Sequence, residues 1–429
     1  MNINERFAKI GIHVPEILIP QNIDMHKWTV VACDQYSSQK EYWTQTANIV
    51  GDSPSTLKLI LPECYLEEKD KKQRVKDINI TMNNYMENGI FKQLAPGFII
   101  VDRSTTKVPS RKGIIIAIDL EHYSFDKNSK SLIRPTEGTL IERLPPRIEI
   151  RENAPLDLPH ILLLINDETK SIIEHAFKSV DTFETVYDFE LMQSGGRIKG
   201  HHISDPVYME KLCLAFEKLA KKNEMLFAVG DGNHSLASAK EIWEKLKRTG
   251  AKNNHPSRYV LVEVSNIFNE GIIFEPIHRV LFNIDTDHFF TQLKSKTNAQ
   301  IIYLNSEEEM KETVYENSTD HKIGFIKKFQ WGVISIKKPE IKLTYKVIQD
   351  FIDEYLKEKT STYIDYIHGD RSVYELCEKS GNLGLYLSAI KKTEFFNMII
   401  EDGALPRKTF SIGEADEKRF YLEARKIML

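Results

Sequence analysis

Met225-Leu226-Phe227-Ala228-Val229-Gly230-Asp231-Gly232-Asn233-His234-Ser235-Leu236 carries two periodicities with a break between them. Met225 to Val229 is an apolar run of strand length. Leu236, Ala239, Trp243 and Leu246 then recur on one helical face, and that pattern stops near Gly250. Gly230 to Ser235 is therefore a strand-to-helix loop. Just upstream, Asp205-Pro206 reads as an N-cap followed by proline at the first helical position, with Leu212, Phe216 and Leu219 spaced as a helix. Tyr259 to Val264 is the next strand.

Working outward, Pro159 to Ile165 is a continuous apolar run, expected as a buried strand. Phe98 to Val101 and Gly113 to Leu120 read as strands flanking a basic loop, and Trp28 to Cys33 and Leu57 to Leu61 as further strands. Lys69 to Phe91 has helical spacing. Pro145-Pro146 is expected to break any helix there. Beyond Asn266 the texture changes: Ile323 to Phe329 and Trp331 to Ile336 predict a hairpin, and Val347, Phe351 and Tyr355 an amphipathic helix. Strands and helices mix without strict alternation, which favours α+β over a doubly wound parallel sheet. A boundary is placed near residue 268, giving domains 1–268 and 269–429.

The 429 residues are 41% hydrophobic and 28% charged, which excludes a disordered chain. The net charge of −4, with no basic stripe or tail, argues against nucleic acid as a partner but leaves room for a small anionic substrate. Cys33, Cys64, Cys213 and Cys377 are too scattered for a disulfide framework or structural zinc site. No signal peptide or membrane-length apolar stretch is visible, so a cytoplasmic protein with no membrane partner is expected.

The loop Gly230 to Ser235 is the leading candidate for chemistry. Its glycines permit positive φ and close backbone approach, and free amides at a helix start favour an anion. Asp231 suits a magnesium ion or a substrate ammonium. His234 suits a phosphate oxygen or a proton transfer. The alternative is a tight turn that Asn233 or Ser235 merely caps. His278-Arg279 is a pair of donors suited to an oxyanion. Asp34, Glu41 and Glu137 are candidate general bases; Glu137 stands out because small residues flank it. Arg134, Arg143, Arg147 and Arg151 cluster nearby in sequence. The adjacent His201 and His202 would point to opposite faces of a strand, so no metal is expected there. Lys408 lies in a basic stretch near the chain end.

Five segments together resemble the domain-of-unknown-function family 1015. They are Ala32-Cys33-Asp34-Gln35-Tyr36, Ile133-Arg134-Pro135-Thr136-Glu137-Gly138-Thr139, Asp231-Gly232-Asn233-His234, Pro276-Ile277-His278-Arg279, and Gly403-Ala404-Leu405-Pro406-Arg407-Lys408-Thr409. The family's Asp-Gly-x-His element is similar to the phosphate-binding element of the ParB/sulfiredoxin-like fold. That fold includes free-serine kinases, which use ADP or ATP with magnesium, and the family is associated with serine biosynthesis genes. The resemblance implies an α+β protein: a ParB/sulfiredoxin-like N-terminal core with large insertions, plus a smaller α+β domain whose end returns to the site. It further implies a nucleotide-dependent phosphotransferase acting on serine or phosphoserine. Gly230 to Ser235, with His278, Arg279 and Lys408, would hold the nucleotide; Asp231 would hold magnesium; and Asp34, Glu41 or Glu137 would take the hydroxyl proton. A phosphoserine phosphatase and a non-enzymatic nucleotide switch are the alternatives. Relatives usually carry His and Arg where this chain has Asn233 and Ser235. Loss of that arginine removes a bidentate phosphate clamp, and Arg279 or Lys408 is expected to substitute.

Overall fold

The computed structural model describes residues 2–126, 129–316, 318–337, 343–359, 361–406 and 408–428. The chain divides into two compact units, residues 1–273 with 412–429, and residues 274–411. The last eighteen residues thus belong to the first unit rather than to the second.

The first unit is built on one large mixed sheet. Its strands are β1 (Phe98–Ser104), β2 (Arg111–Asp119), β3 (Ile133–Pro135), β4 (Leu162–Ile165), β5 (Glu184–Glu190), β6 (Arg197–Ile203), β7 (Phe227–Asp231) and β8 (Tyr259–Asn266). They lie in the order β5-β6-β1-β2-β8-β4-β7-β3, with Ile12–His13 paired to β2. The pairs β8·β4 and β7·β3 are parallel and the others antiparallel, so the sheet is α+β in character. In β2 every residue from Gly113 to Asp119 is buried, as expected of a strand covered on both faces. On one face Ile114, Ile116, Leu163 and Val262 pack with Phe216, Leu236 and Trp243. On the other, Ile99, Val101, Ile115 and Leu261 pack with Trp43, Phe420 and Leu422.

The first unit also contains the helices α1 (Leu144–Arg151), α2 (Pro206–Lys222) and α3 (Asn233–Arg248). Asp205 caps α2 through Tyr208 N, and Pro206 follows it, as the sequence predicts. Pro145-Pro146 corrects an expectation: the prolines open α1 instead of breaking it. The first turn of a helix has no intrahelical partner for its N–H groups, so proline loses nothing there. The segments Trp28 to Cys33 and Leu57 to Leu61 are also not full strands. Asp24 caps a single helical turn, Met25–Trp28, and only Val30–Val31 pairs as strand. The Ser55 side chain accepts from Leu57 N and starts a 3₁₀ turn, Thr56–Leu59.

The returning C-terminal segment is threaded through the first unit. Phe420–Tyr421 pairs with Val30–Val31, Ala424 bridges Leu18, and Arg425–Lys426 pairs with Leu156–Asp157. Buried charges fasten it. Arg419 donates to Glu263 at 2.5 Å, to Glu423 at 2.6 Å and to the Pro159 carbonyl at 3.1 Å. Arg103 and Arg111 donate to the Glu417 carbonyl at 3.1 and 2.8 Å.

The second unit carries its own sheet. Its strands are β9 (Phe274–Phe282), β10 (Gln300–Leu304), β11 (His321–Lys327), β12 (Gln330–Ile336), β13 (Tyr363–His368) and β14 (Leu383–Tyr386), in the order β10-β12-β11-β14-β9-β13. The expected hairpin is β11–β12, and the expected helix runs Thr344–Glu358.

Candidate functional site

The strand-to-helix connection is tighter than the expected loop Gly230 to Ser235: Gly230 and Asp231 end β7, Asn233 to Ser235 open α3, and Gly232 alone joins them. Gly232 takes φ +76°, and a Cβ there would meet Ile161 Cα at 3.0 Å, so only glycine fits without strain. Its own N–H is held by Asp231 Oδ1 at 2.9 Å. No side chain caps α3 among the described residues. The first-turn amides of this sixteen-residue helix, with the positive end of its dipole, are therefore a seat for an anion.

Asp231 faces Lys418, whose Nζ lies 3.3 Å from Oδ2. Burial pushes the Asp231 carboxyl up, but the charges of Lys418 and His160 outweigh it, and the net shift is downward. The carboxylate therefore stays ionised. Lys418 comes from the C-terminal segment, 187 residues on, and no periodicity or motif marks it.

The segment Thr136–Leu140 folds over the start of α3. Thr136 Oγ1 donates to the Val229 carbonyl at 2.7 Å. Asn233 Nδ2 donates to the Glu137 carbonyl at 3.0 Å and to Thr139 Oγ1 at 3.2 Å. Leu140 N donates to His234 Nε2 at 3.3 Å. The parallel pairing of β3 with β7 brings these two motifs side by side. Asn233 Oδ1 is buried with no hydrogen-bond partner. His234 is half-buried, and its basicity falls to about 4, first through burial and then through Arg147 and Arg143. Nε2 accepts from Leu140, so the neutral ring offers Nδ1–H as a donor.

A cavity of about 110 Å³ adjoins this edge, with His160, Ser235, Ser238, Tyr421, Cys33 and Arg147 among its lining groups. Ser235 Oγ lies 2.9 Å from His160 Nε2, and Tyr421 Oη lies 2.9 Å from His160 Nδ1. Arg147, on α1, pairs with Glu63. Burial raises the Glu63 carboxyl, Arg147 opposes this, and the net shift is upward. Asp34 accepts from Gln35 Nε2 at 3.0 Å, and its charge is felt by His234, Glu63 and Tyr421. Asp34 thus belongs to this neighbourhood. His160, Glu63, Lys418 and Tyr421 also belong to it, although sequence reasoning did not select them.

Glu41 is exposed in the first turn of the helix Lys40–Val50. Glu137 is half-buried and contributes its carbonyl to Asn233. His278 and Arg279 lie on β9 in the second unit, both fully buried. His278 Nδ1 accepts from Leu387 N at 3.1 Å, and its Nε2 lies 3.3 Å from Asp370. Arg279 donates to Gln349 Oε1 at 3.2 Å, and its guanidinium lies 5.3 Å from the ring centres of Tyr345 and Tyr366. Both side chains are thus held among residues of that unit. Lys408 is exposed in the second unit with φ +58°, and Arg407 lies outside the described residues. His201 lies 3.2 Å from Thr185 Oγ1, and His202 lies 3.0 Å from the Ala95 carbonyl. No group of three or more metal-ligating side chains occurs among the described residues. No helix among them is long and apolar enough to cross a membrane.

A family model described as a protein of unknown function, DUF1015, matches residues 18–355. No protein among the curated sequences matches. Three solved structures are distantly similar. A conserved hypothetical protein from Pyrococcus furiosus shares 14% identity, over 72% of this chain and 90% of its own, at a TM-score of 0.35. A free serine kinase in complex with AMP shares 13%, over 73% and 92%, at 0.39. SbnI from Staphylococcus aureus, truncated at its C-terminus, shares 10%, over 72% and 82%, at 0.36.

Proposed function

This chain belongs to the DUF1015 family, and from that premise we propose that it is a nucleotide-dependent phosphotransferase acting on a small hydroxylated metabolite, free L-serine or phosphoserine, on a ParB/sulfiredoxin-like core. The observation that carries this reading is the uncapped start of α3. It is joined there by an ionised Asp231, a lysine in contact with that carboxylate, and a neutral imidazole donor. Phosphoryl transfer asks a protein mainly for positioning and charge neutralisation, and these groups supply both.

In this reading the phosphates of ATP or ADP rest on the amides of Asn233, His234 and Ser235. His234 Nδ1–H donates to a phosphate oxygen. Lys418 takes the place of the arginine that relatives carry, offering a positive charge without the planar fork. Magnesium suits the donors present. Asp231 gives one carboxylate and Asn233 Oδ1 a buried, unpartnered amide oxygen, and a magnesium–nucleotide takes its other ligands from phosphates and water. The ion would offset the phosphate charge. Asp34, next in sequence to the cavity-lining Cys33, would take the acceptor's hydroxyl proton.

Phosphorus NMR of the full chain with magnesium, L-serine and either ADP or ATP tests this reading, followed by phosphoserine in the reverse direction. A phosphoserine signal that grows only with nucleotide is expected. Inorganic phosphate released from phosphoserine without nucleotide would replace the kinase by a phosphatase. No change in either direction would overturn the serine assignment.

A further inference from the structure

Ser235 is in the first turn of α3, where a serine ordinarily caps the helix or bonds back to the preceding turn. Ser238, one turn on, does the latter, donating to the His234 carbonyl at 2.8 Å. Ser235 does neither. Its hydroxyl is turned across to His160 Nε2 at 2.9 Å, and the other ring nitrogen lies 2.9 Å from Tyr421 Oη. His160 and Tyr421 are both buried, and Ser235 is half-buried. All three line the 110 Å³ cavity, together with Cys33 and Arg147. A hydroxyl on a base, with the base oriented by a third group, is the arrangement that activates a nucleophile.

Hydrogen-bond bookkeeping is compatible with the base form of the ring. Tyr421 Oη already accepts from Cys33 N at 3.3 Å. With the imidazole proton on Nδ1, donated to that same phenol oxygen, Nε2 keeps a lone pair for the Ser235 hydroxyl. The amides of the α3 start face the same edge and suit the oxygens of a phosphoryl group.

We propose that Ser235 is a nucleophile, with His160 as its base and Tyr421 as the group that orients the base, and that it carries the phosphoryl group covalently between donor and acceptor. In the first half, Ser235 Oγ attacks the terminal phosphorus of a nucleoside polyphosphate. The Oγ–P bond forms, the bond to the bridging oxygen breaks with its electron pair on the departing nucleotide, and the hydroxyl proton passes to His160 Nε2. In the second half, the acceptor's hydroxyl attacks the phosphoserine. The Oγ–P bond breaks with its electrons on Oγ, Oγ regains the proton from His160, and the acceptor's proton passes to Asp34. The phosphoryl donor rests on the function proposed above; the activated hydroxyl does not.

Two probes on the full chain separate these claims. A fluorophosphonate reports the nucleophile alone, because attack by an activated serine expels fluoride and leaves a stable phosphonyl ester. Terminally labelled ATP with magnesium, quenched in acid, reports the phosphoenzyme. Both labels are expected on the peptide containing Ser235 and are expected to be lost in Ser235→Ala. His160→Gln should slow fluorophosphonate labelling by about 100-fold, the scale of a lost general base. Tyr421→Phe keeps the ring and removes only the orienting oxygen, so it should slow labelling by a smaller factor if His160→Gln fails to fold. Labelling by the fluorophosphonate but not by ATP would retain the nucleophile and overturn the nucleotide donor. Product formation from ATP with full turnover in Ser235→Ala would overturn the nucleophile and retain the kinase. Absence of both labels, or equal labelling rates in all variants, would overturn the proposal.

Discussion

Arg419→Met is expected to destabilise the first unit and to release the segment that supplies Lys418 and Tyr421. Arg419 is 5% exposed and donates to two carboxylates, Glu263 and Glu423, which are 3% and 0% exposed. It also donates to the Pro159 carbonyl at 3.1 Å. Methionine keeps the stem's volume and removes the charge. Glu263 retains Arg111, with N···O at 3.8 Å, but Glu423 keeps only the Tyr187 hydroxyl. Stranding one member of a buried ion pair costs about 3–5 kcal/mol. At about 2 °C per kcal/mol for a unit of this size, the melting temperature should fall by about 6–10 °C. Differential scanning calorimetry measures the shift, and limited proteolysis after residue 411 reports whether the segment detaches. Arg419→Lys should recover only part of the loss, because one ammonium cannot span both carboxylates and the carbonyl. A fall under about 2 °C for Arg419→Met would refute the claim that this network holds the segment, because the structure leaves Glu423 no second cation.

Asp231→Ala should weaken magnesium–nucleotide binding by about 10–100-fold in calorimetric titration, the usual scale for losing one charged contact; unchanged binding would remove this carboxylate from the site. Gly232→Ala should cost about 1–2 kcal/mol in chemical denaturation, because the residue must hold a left-handed φ with its Cβ against Ile161. His234 also makes stability depend on pH. Its folded basicity, about 4, lies below the ordinary value of 6.5, so the unfolded chain binds the extra proton between those limits. Stability should therefore rise as pH increases from about 4 to 6.5, and His234→Gln should flatten part of that slope. The rest stays with His13, which burial also lowers to about 4, and with His201 and His202, which burial likewise shifts downward.

How much of this was legible beforehand depends on how far apart in the chain the contacts lie. The β7–loop–α3 unit, the cap at Asp205 and the β11–β12 hairpin were readable because strand and helix periodicities and capping residues are local signals. Pro145-Pro146 was misread because proline ends a helix in its interior and begins one at its first turn, and the residues alone do not say which applies. Local sequence context placed Asp34, Glu137 and Asp231 among the candidates, and pairing of β3 with β7 explains why two of the family's motifs meet.

By itself, then, the sequence determined the α+β class, the strand-to-helix junction around Gly232 and the family, because each is written in short-range pattern or in ordered motifs. Only the tertiary structure decided which side chains surround the loop. His160 and Tyr421 are 261 residues apart, and Ser235 is 75 from His160. Nothing in the spacing of a histidine, a tyrosine and a serine foretells their contact. It follows from the C-terminal strand pairing with Val30–Val31 and from the buried arginines that fasten it there. Equally, His278 and Arg279 look like donors for an oxyanion in the sequence, and only the structure shows that both are buried, with Leu387 N donating to His278 and Arg279 donating to Gln349. Chemistry-bearing residue types are visible in one dimension; which of them face a cavity and which are spent on packing is decided in three.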